Sequence, residues 1–143
     1  MKRTLIGDGD RSPLSVWAVV GLSPRYHKGE CPYSICDFNR FWQEEAQSHY
    51  NETGVYVSVI TSESYVIYRE DSGCPSGGEP AVDVRADCNP YYSYAIENIS
   101  EDQYIKTWKE IFLQIIENVA GKLNQTTVTV KFSDGELLYL TKN

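Results

Sequence analysis

The side chains best placed to do chemistry gather in one irregular stretch, Asp71-Ser72-Gly73-Cys74-Pro75-Ser76-Gly77-Gly78-Glu79-Pro80. Its three glycines let backbone N–H groups approach a ligand closely, and Cys74, Ser76 and Glu79 add a thiol, a hydroxyl and a carboxylate. It is no P-loop, because no Lys-Ser/Thr pair follows it, and the dinucleotide fingerprint is equally absent. The plain alternative is an exposed connection between strands, since any wide loop uses Gly and Pro. Just downstream, Asp83, Arg85 and Asp87 alternate along one strand face. Arg85 there suits a bidentate grip on an anionic group, or the three form a solvated outer face with partners such as Arg69 and Glu70. Tyr91, Tyr92 and Tyr94 follow Asn89-Pro90, and Tyr65 and Tyr68 lie just before the Gly-rich stretch. Tyrosine offers a large contact area with a hydroxyl that can stay wet, so this group fits a partner surface, a stacking pocket for a flat ligand, or a covered sheet edge.

Nothing local specifies a catalytic triad. The two histidines are His27, in a polar loop, and His49, late in a helical pattern, where an imidazole also suits the helix dipole. A Cys74–His49 pair is the one nucleophile–base combination to consider. Among the four cysteines, Cys31 and Cys36 have four residues between them and His27 lies four before Cys31. That spacing permits a metal knuckle, but Cys74 and Cys88 supply no matching second pair. Free thiols, a disulfide framework and a metal site all stay open; no metal and no cofactor is assigned.

Regular elements must hold these groups. Leu14 to Leu22 is β-rich and nearly all apolar, which predicts a central strand buried on both faces. Ile35, Phe38, Phe41/Trp42, Ala46 and His49/Tyr50 keep helical spacing, with Ser34 and Asp37 as a capping box and Gly54 as the stop. Val55 to Ile60 and Tyr65 to Glu70 read as a hairpin around Ser62-Glu63-Ser64, and Ala81 to Cys88 as the next strand. Ser100 and Gln103 form a second capping box for a helix striped by Tyr104, Ile105, Trp108, Ile111, Phe112, Ile115, Ile116, Val119 and Leu123. Thr126–Phe132 and Leu137–Thr141 flank an Asp134-Gly135 turn. The order βαβββαββ implies an α+β fold: a mainly antiparallel sheet with two helices on one face, ferredoxin-like (split βαβ) with extra strands. Residues 1–13 read as a flexible arm and 14–143 as a single domain.

Composition sets the outer limits. The 143 residues carry 13 basic and 20 acidic side chains, a net charge of −7, which disfavours nucleic acid or an anionic membrane surface as partner. No apolar run approaches a membrane span and no leader is evident, so the expected location is cytoplasmic. Three Asn-x-Ser/Thr sequons begin at Asn51, Asn98 and Asn124, at element ends where such residues serve as caps. Tyrosine stands out, 11 against 4 Phe and 3 Trp. The reading that follows is a non-catalytic binding module, a homodimer that takes a protein partner or a small molecule. Its surface would comprise Cys74, Ser76, Glu79, Arg85, Tyr91, Tyr92 and Tyr94. The alternative is a small ferredoxin-like enzyme using Cys74, Glu79, Arg85 or His49 in a cleft beside the 73–80 loop.

Overall fold

A computed structural model describes residues 1–5, 13–23, 31–71, 77–96 and 98–142. The elements run β1 (Ser15–Gly21), α1 (Ile35–Thr53), β2 (Ile60–Ile67), β3 (Gly78–Asp87), a short 3-10 turn (Pro90–Ala95), α2 (Glu101–Lys122), β4 (Thr127–Phe132) and β5 (Leu137–Thr141). They form one five-stranded antiparallel sheet in the order β2-β3-β1-β4-β5. The fold is thus the expected α+β class, a ferredoxin-like core with β5 added at one edge.

Local chemistry accounts for the helices. Ser34 and Asp37 exchange the reciprocal bonds of a capping box, and Gly54 closes α1 in the left-handed region at φ 76°. Ser100 caps α2 by accepting from the Gln103 N–H, but the Gln103 side chain donates to Thr107 instead of returning, so this box is half made. Phe38, Trp42 and Ala46 of α1 and Trp108, Ile111, Phe112, Ile115, Ile116 and Val119 of α2 are buried against Val16, Ala18, Val20, Val82, Val84, Val128, Val130 and Phe132 of the sheet. Phe112 sits at the middle of this layer, in ring contact with Trp42, Trp108 and Phe132.

Three expectations change. No turn forms at Ser62-Glu63-Ser64: these residues pair continuously with β3 inside one edge strand, because the tripeptide lacks a residue suited to positive φ. Val55 and Val57 are buried as an extended lead-in, with the Trp42 indole N–H donating to the Val57 carbonyl at 3.1 Å. Strand β3 starts at Gly78 rather than Ala81, so Glu79 and Pro80 belong to the sheet rather than to the loop before it. Lastly, β1 is central but not buried on both faces. Its burial alternates, and Trp17 is 45% exposed, because both helices cover the same side of the sheet.

The opposite face is therefore open. Strand parity and register place Trp17, Val19 and Gly21 of β1, Val66 of β2, Glu79, Asp83 and Arg85 of β3, and Thr127, Thr129 and Lys131 of β4 on it.

Candidate active site

Glu79 is the buried ionisable side chain of the open face, with 9% of its surface exposed. The Tyr68 hydroxyl, just past the end of β2, donates to Glu79 Oε1 at 2.9 Å. Oε2 is buried and has no hydrogen-bond partner among the described residues. Across the ladder, Gly21 leaves room for the carboxylate: a Cβ built there would stand 2.5 Å from Oε2. Burial pushes the Glu79 pKa up, while the Tyr68 hydroxyl and the Ser23 backbone N–H pull the other way and lose. The same burial, with the neighbouring carboxylate, raises the Tyr68 phenol to about 12, so it remains a donor at any working pH. Among the described residues no cation pairs with Glu79.

Glu79 and Tyr68 line a cleft of about 350 Å³ that runs diagonally across the open face past Gly21, Val19 and Thr129 to Trp17 and Lys131. A site of this volume suits a small molecule. At the far end, the Trp17 indole N–H donates to Asp83 Oδ1 at 2.7 Å, and Arg85 Nη2 pairs with Asp83 Oδ2 at 3.3 Å. A carboxylate held out of water without a counter-ion is costly, and a cation entering the cleft would relieve that cost.

Of the residues singled out from sequence, Glu79 lies in the cleft. Arg85 lies on the same face, one strand from Trp17, but is largely exposed and held by Asp83. Cys74 and Ser76 fall outside the described residues. Tyr91 and Tyr92 are half exposed in the 3-10 turn, which packs on α2, and neither lines the cleft; Tyr94 belongs to that turn. His49 sits on α1 near Glu45, on the helical side of the sheet. Sequence reasoning counted Tyr68 among the tyrosines near the Gly-rich loop without pairing it to Glu79, and it missed Gly21 and Trp17 as site residues. The usable signals were the parity of Tyr68 with Val66 and of Glu79 with Asp83, once β3 is started at Gly78. Cys31, Cys36 and Cys88 are free, and no cluster of three potential metal ligands occurs among the described residues.

Fold and site together define a ferredoxin-like α+β protein with a cleft built around a buried carboxylate that has no cationic partner among the described residues. The SAM lyase family model matches residues 16–141, and the chain belongs to that family. Two solved structures resemble it. A phage SAM lyase in complex with S-methyl-5'-thioadenosine has 14% identity and a TM-score of 0.57, over 99% of this chain and 96% of that one. A phage SAM lyase in the apo state has 13% identity and a TM-score of 0.57, over 98% of each. At such identities the likeness speaks for the fold alone. No curated protein matches.

Membership corrects the functional expectation. A family named for a lyase reaction is a family of enzymes, which overturns the non-catalytic binding module and favours the alternative of a small ferredoxin-like enzyme. The protein-binding and homodimer expectations rested on the same reading and lose their support. Elsewhere, Tyr104 is core, Tyr50 packs edge-on against Tyr56, and Tyr68 donates to Glu79, while Tyr91 and Tyr92 stay half exposed on the 3-10 turn. Among the described residues no helix is long and apolar enough to cross a membrane.

Proposed function

We propose that this chain cleaves S-adenosylmethionine to S-methyl-5'-thioadenosine and a four-carbon amino-acid fragment, in the cleft that holds Glu79. The observation that carries the proposal is the buried Glu79 carboxylate, fixed through one oxygen by Tyr68 and without a cationic partner among the described residues. The substrate's sulfonium is a small, permanently charged cation with no N–H or O–H to donate. It therefore needs a fixed negative group rather than a hydrogen-bond acceptor array, and a half-dry site makes that attraction stronger.

The bond that breaks joins the sulfur to the terminal methylene of the methionine side chain. Sulfur keeps the electron pair and leaves as a neutral thioether. In a lyase reaction without water, the carbon fragment recovers electrons from within itself. Either its own carboxylate oxygen closes on that methylene to form a lactone, or a neighbouring C–H bond gives an alkene and its proton goes to a base. Glu79 holds the sulfonium in both routes, and in the second its raised pKa suits it to take the proton. Positive charge disappears from the sulfur on the way to the transition state, so the half-dry surroundings of Glu79 assist the loss.

Incubation of the purified chain with S-adenosylmethionine, followed by chromatography, tests the proposal. S-Methyl-5'-thioadenosine should accumulate with either the lactone or its alkene isomer. Unchanged substrate, or S-adenosylhomocysteine as product, contradicts it.

A further inference from the structure

We propose that Trp17 is the specificity platform of this cleft, a pinned indole on which the substrate's adenine stacks while Glu79 holds the sulfonium; this rests on the function proposed above. Trp17 stands at the centre of the open face on the central strand, flanked across the ladders by Arg85 on β3 and Lys131 on β4. It is 45% exposed, whereas Trp42 and Trp108 are buried in the core. Its one polar atom is already used: Nε1–H donates to Asp83 Oδ1 at 2.7 Å, and Arg85 grips the same carboxylate with Nε at 3.4 Å and Nη2 at 3.3 Å. The ring therefore presents an apolar π face with little freedom to turn. A platform fixed before the ligand arrives avoids the ordering cost that a free side chain would incur on binding.

Trp17 and Glu79 border one continuous cleft. A ligand that satisfies both carries a cation and a flat apolar ring in one small molecule, and the sulfonium and adenine of S-adenosylmethionine are such a pair. Trp17 also borders a second hollow of about 440 Å³ toward Ser15, lined by Arg85, Asp87 and Lys131. Asp83 is then a positioning residue that acts through Trp17.

The two contacts separate by charge. S-Methyl-5'-thioadenosine retains the adenine but is a neutral thioether, so its binding reports the stack, whereas substrate binding reports stack and carboxylate together. Base–aromatic stacking is worth a change of about 5-fold to 150-fold in affinity on truncation. Steady-state cleavage and S-methyl-5'-thioadenosine titration are therefore compared across wild type, Trp17→Ala, Trp17→Phe, Asp83→Ala and Glu79→Gln. We expect Trp17→Ala to raise both the substrate KM and the thioether Kd at least about fivefold, and Trp17→Phe to change them less than about threefold. Asp83→Ala should raise both severalfold and make Trp17 more open to acrylamide quenching. Glu79→Gln should weaken substrate far more than the thioether. Saturating thioether should quench the exposed tryptophan of the wild-type protein, a readout that stands even if Trp17→Ala fails to fold. Wild-type cleavage with no quenching, or with unchanged KM and Kd in folded Trp17→Ala, overturns the platform and leaves the function standing. A folded wild-type protein that neither cleaves the substrate nor binds the thioether overturns both.

Discussion

Replacing Gly21 by alanine separates the fold from the site. The backbone there is an ordinary strand, so the new methyl brings no conformational strain, and the three atoms nearest to it all belong to the end of the Glu79 side chain. Its Cβ would lie 2.5 Å from Oε2 and 2.6 Å from both Cδ and Oε1. Ordinary contacts begin near 3.5 Å, so the carboxylate must retreat by about 1 Å. The far end of a glutamate can swing, and the cost to stability should stay under ~1 kcal/mol, a fall in Tm of at most about 4 °C. The cost to function is larger. Retreat breaks or stretches the 2.9 Å bond from Tyr68 and takes the charge away from the cleft. A displacement of about 1 Å at a reacting site can lower a rate ~100-fold. The assay is the initial rate of S-methyl-5'-thioadenosine formation from S-adenosylmethionine, run beside a thermal melt followed by circular dichroism. Near-native melting with a rate down by about two orders of magnitude is the expected result. A Gly21→Ala protein that turns over like wild type refutes the claim that the carboxylate's position matters.

Three further outcomes follow from the same structure. Because burial raises the Glu79 pKa in the folded chain above its unfolded value, stability is greatest below the unfolded carboxyl range and is lost as pH rises through the folded value. Glu79→Gln should thus raise Tm at neutral pH and flatten its dependence on pH, as read by melts between pH 5 and pH 8. On the other side of the molecule, Lys109 binds Asp134 at 2.8 Å and Glu136 at 2.9 Å and lies 4.6 Å over the Phe132 ring, tying α2 to the β4–β5 turn. Lys109→Ala should lower stability by about 1 kcal/mol in denaturant titration. Part of that loss should disappear in wild type as pH falls below the usual aspartate range, since Lys109 holds the Asp134 pKa down. Finally, burial pushes the Cys88 thiol up to about 12, while Cys36 is exposed on α1. Peptide mapping after mild alkylation of the native protein should find Cys36 modified and Cys88 intact until denaturant is added.

How much of this was legible beforehand differs by residue. Helix α2 could be read almost to the side chain, because Tyr104 to Leu123 keep one stripe over about five and a half turns and one face of such a rod must be buried. The Asp134-Gly135 hairpin was equally plain, and Gly135 takes the positive φ that the turn needs. Asn98 and Asn124 also sit at positive φ, Ser100 caps α2, and the Thr53 hydroxyl accepts from the Val55 N–H, so residues of all three sequons do the work of caps and turns. The site was harder. Glu79 stands between glycines and a proline, a composition that suggests loop, yet it pairs opposite Val66 in the sheet. Pro80 lacks an N–H but its carbonyl still accepts from Leu22, which lets the strand pass through it. The apolar run of β1 hid the open face, because Val19 and Trp17 look like core until the helices are known to share one side. No single-sequence pattern reports that choice of side, and the cleft depends on it.

The most direct test of the account compares the turnover of S-adenosylmethionine by wild-type chain and by Glu79→Gln, with folding of both checked by their melts. Wild type should release S-methyl-5'-thioadenosine, and the isosteric amide, which fits the same space without the charge, should lose at least ~100-fold in kcat/KM. A folded Glu79→Gln protein that cleaves the substrate at the wild-type rate would contradict the assignment of this carboxylate to the sulfonium.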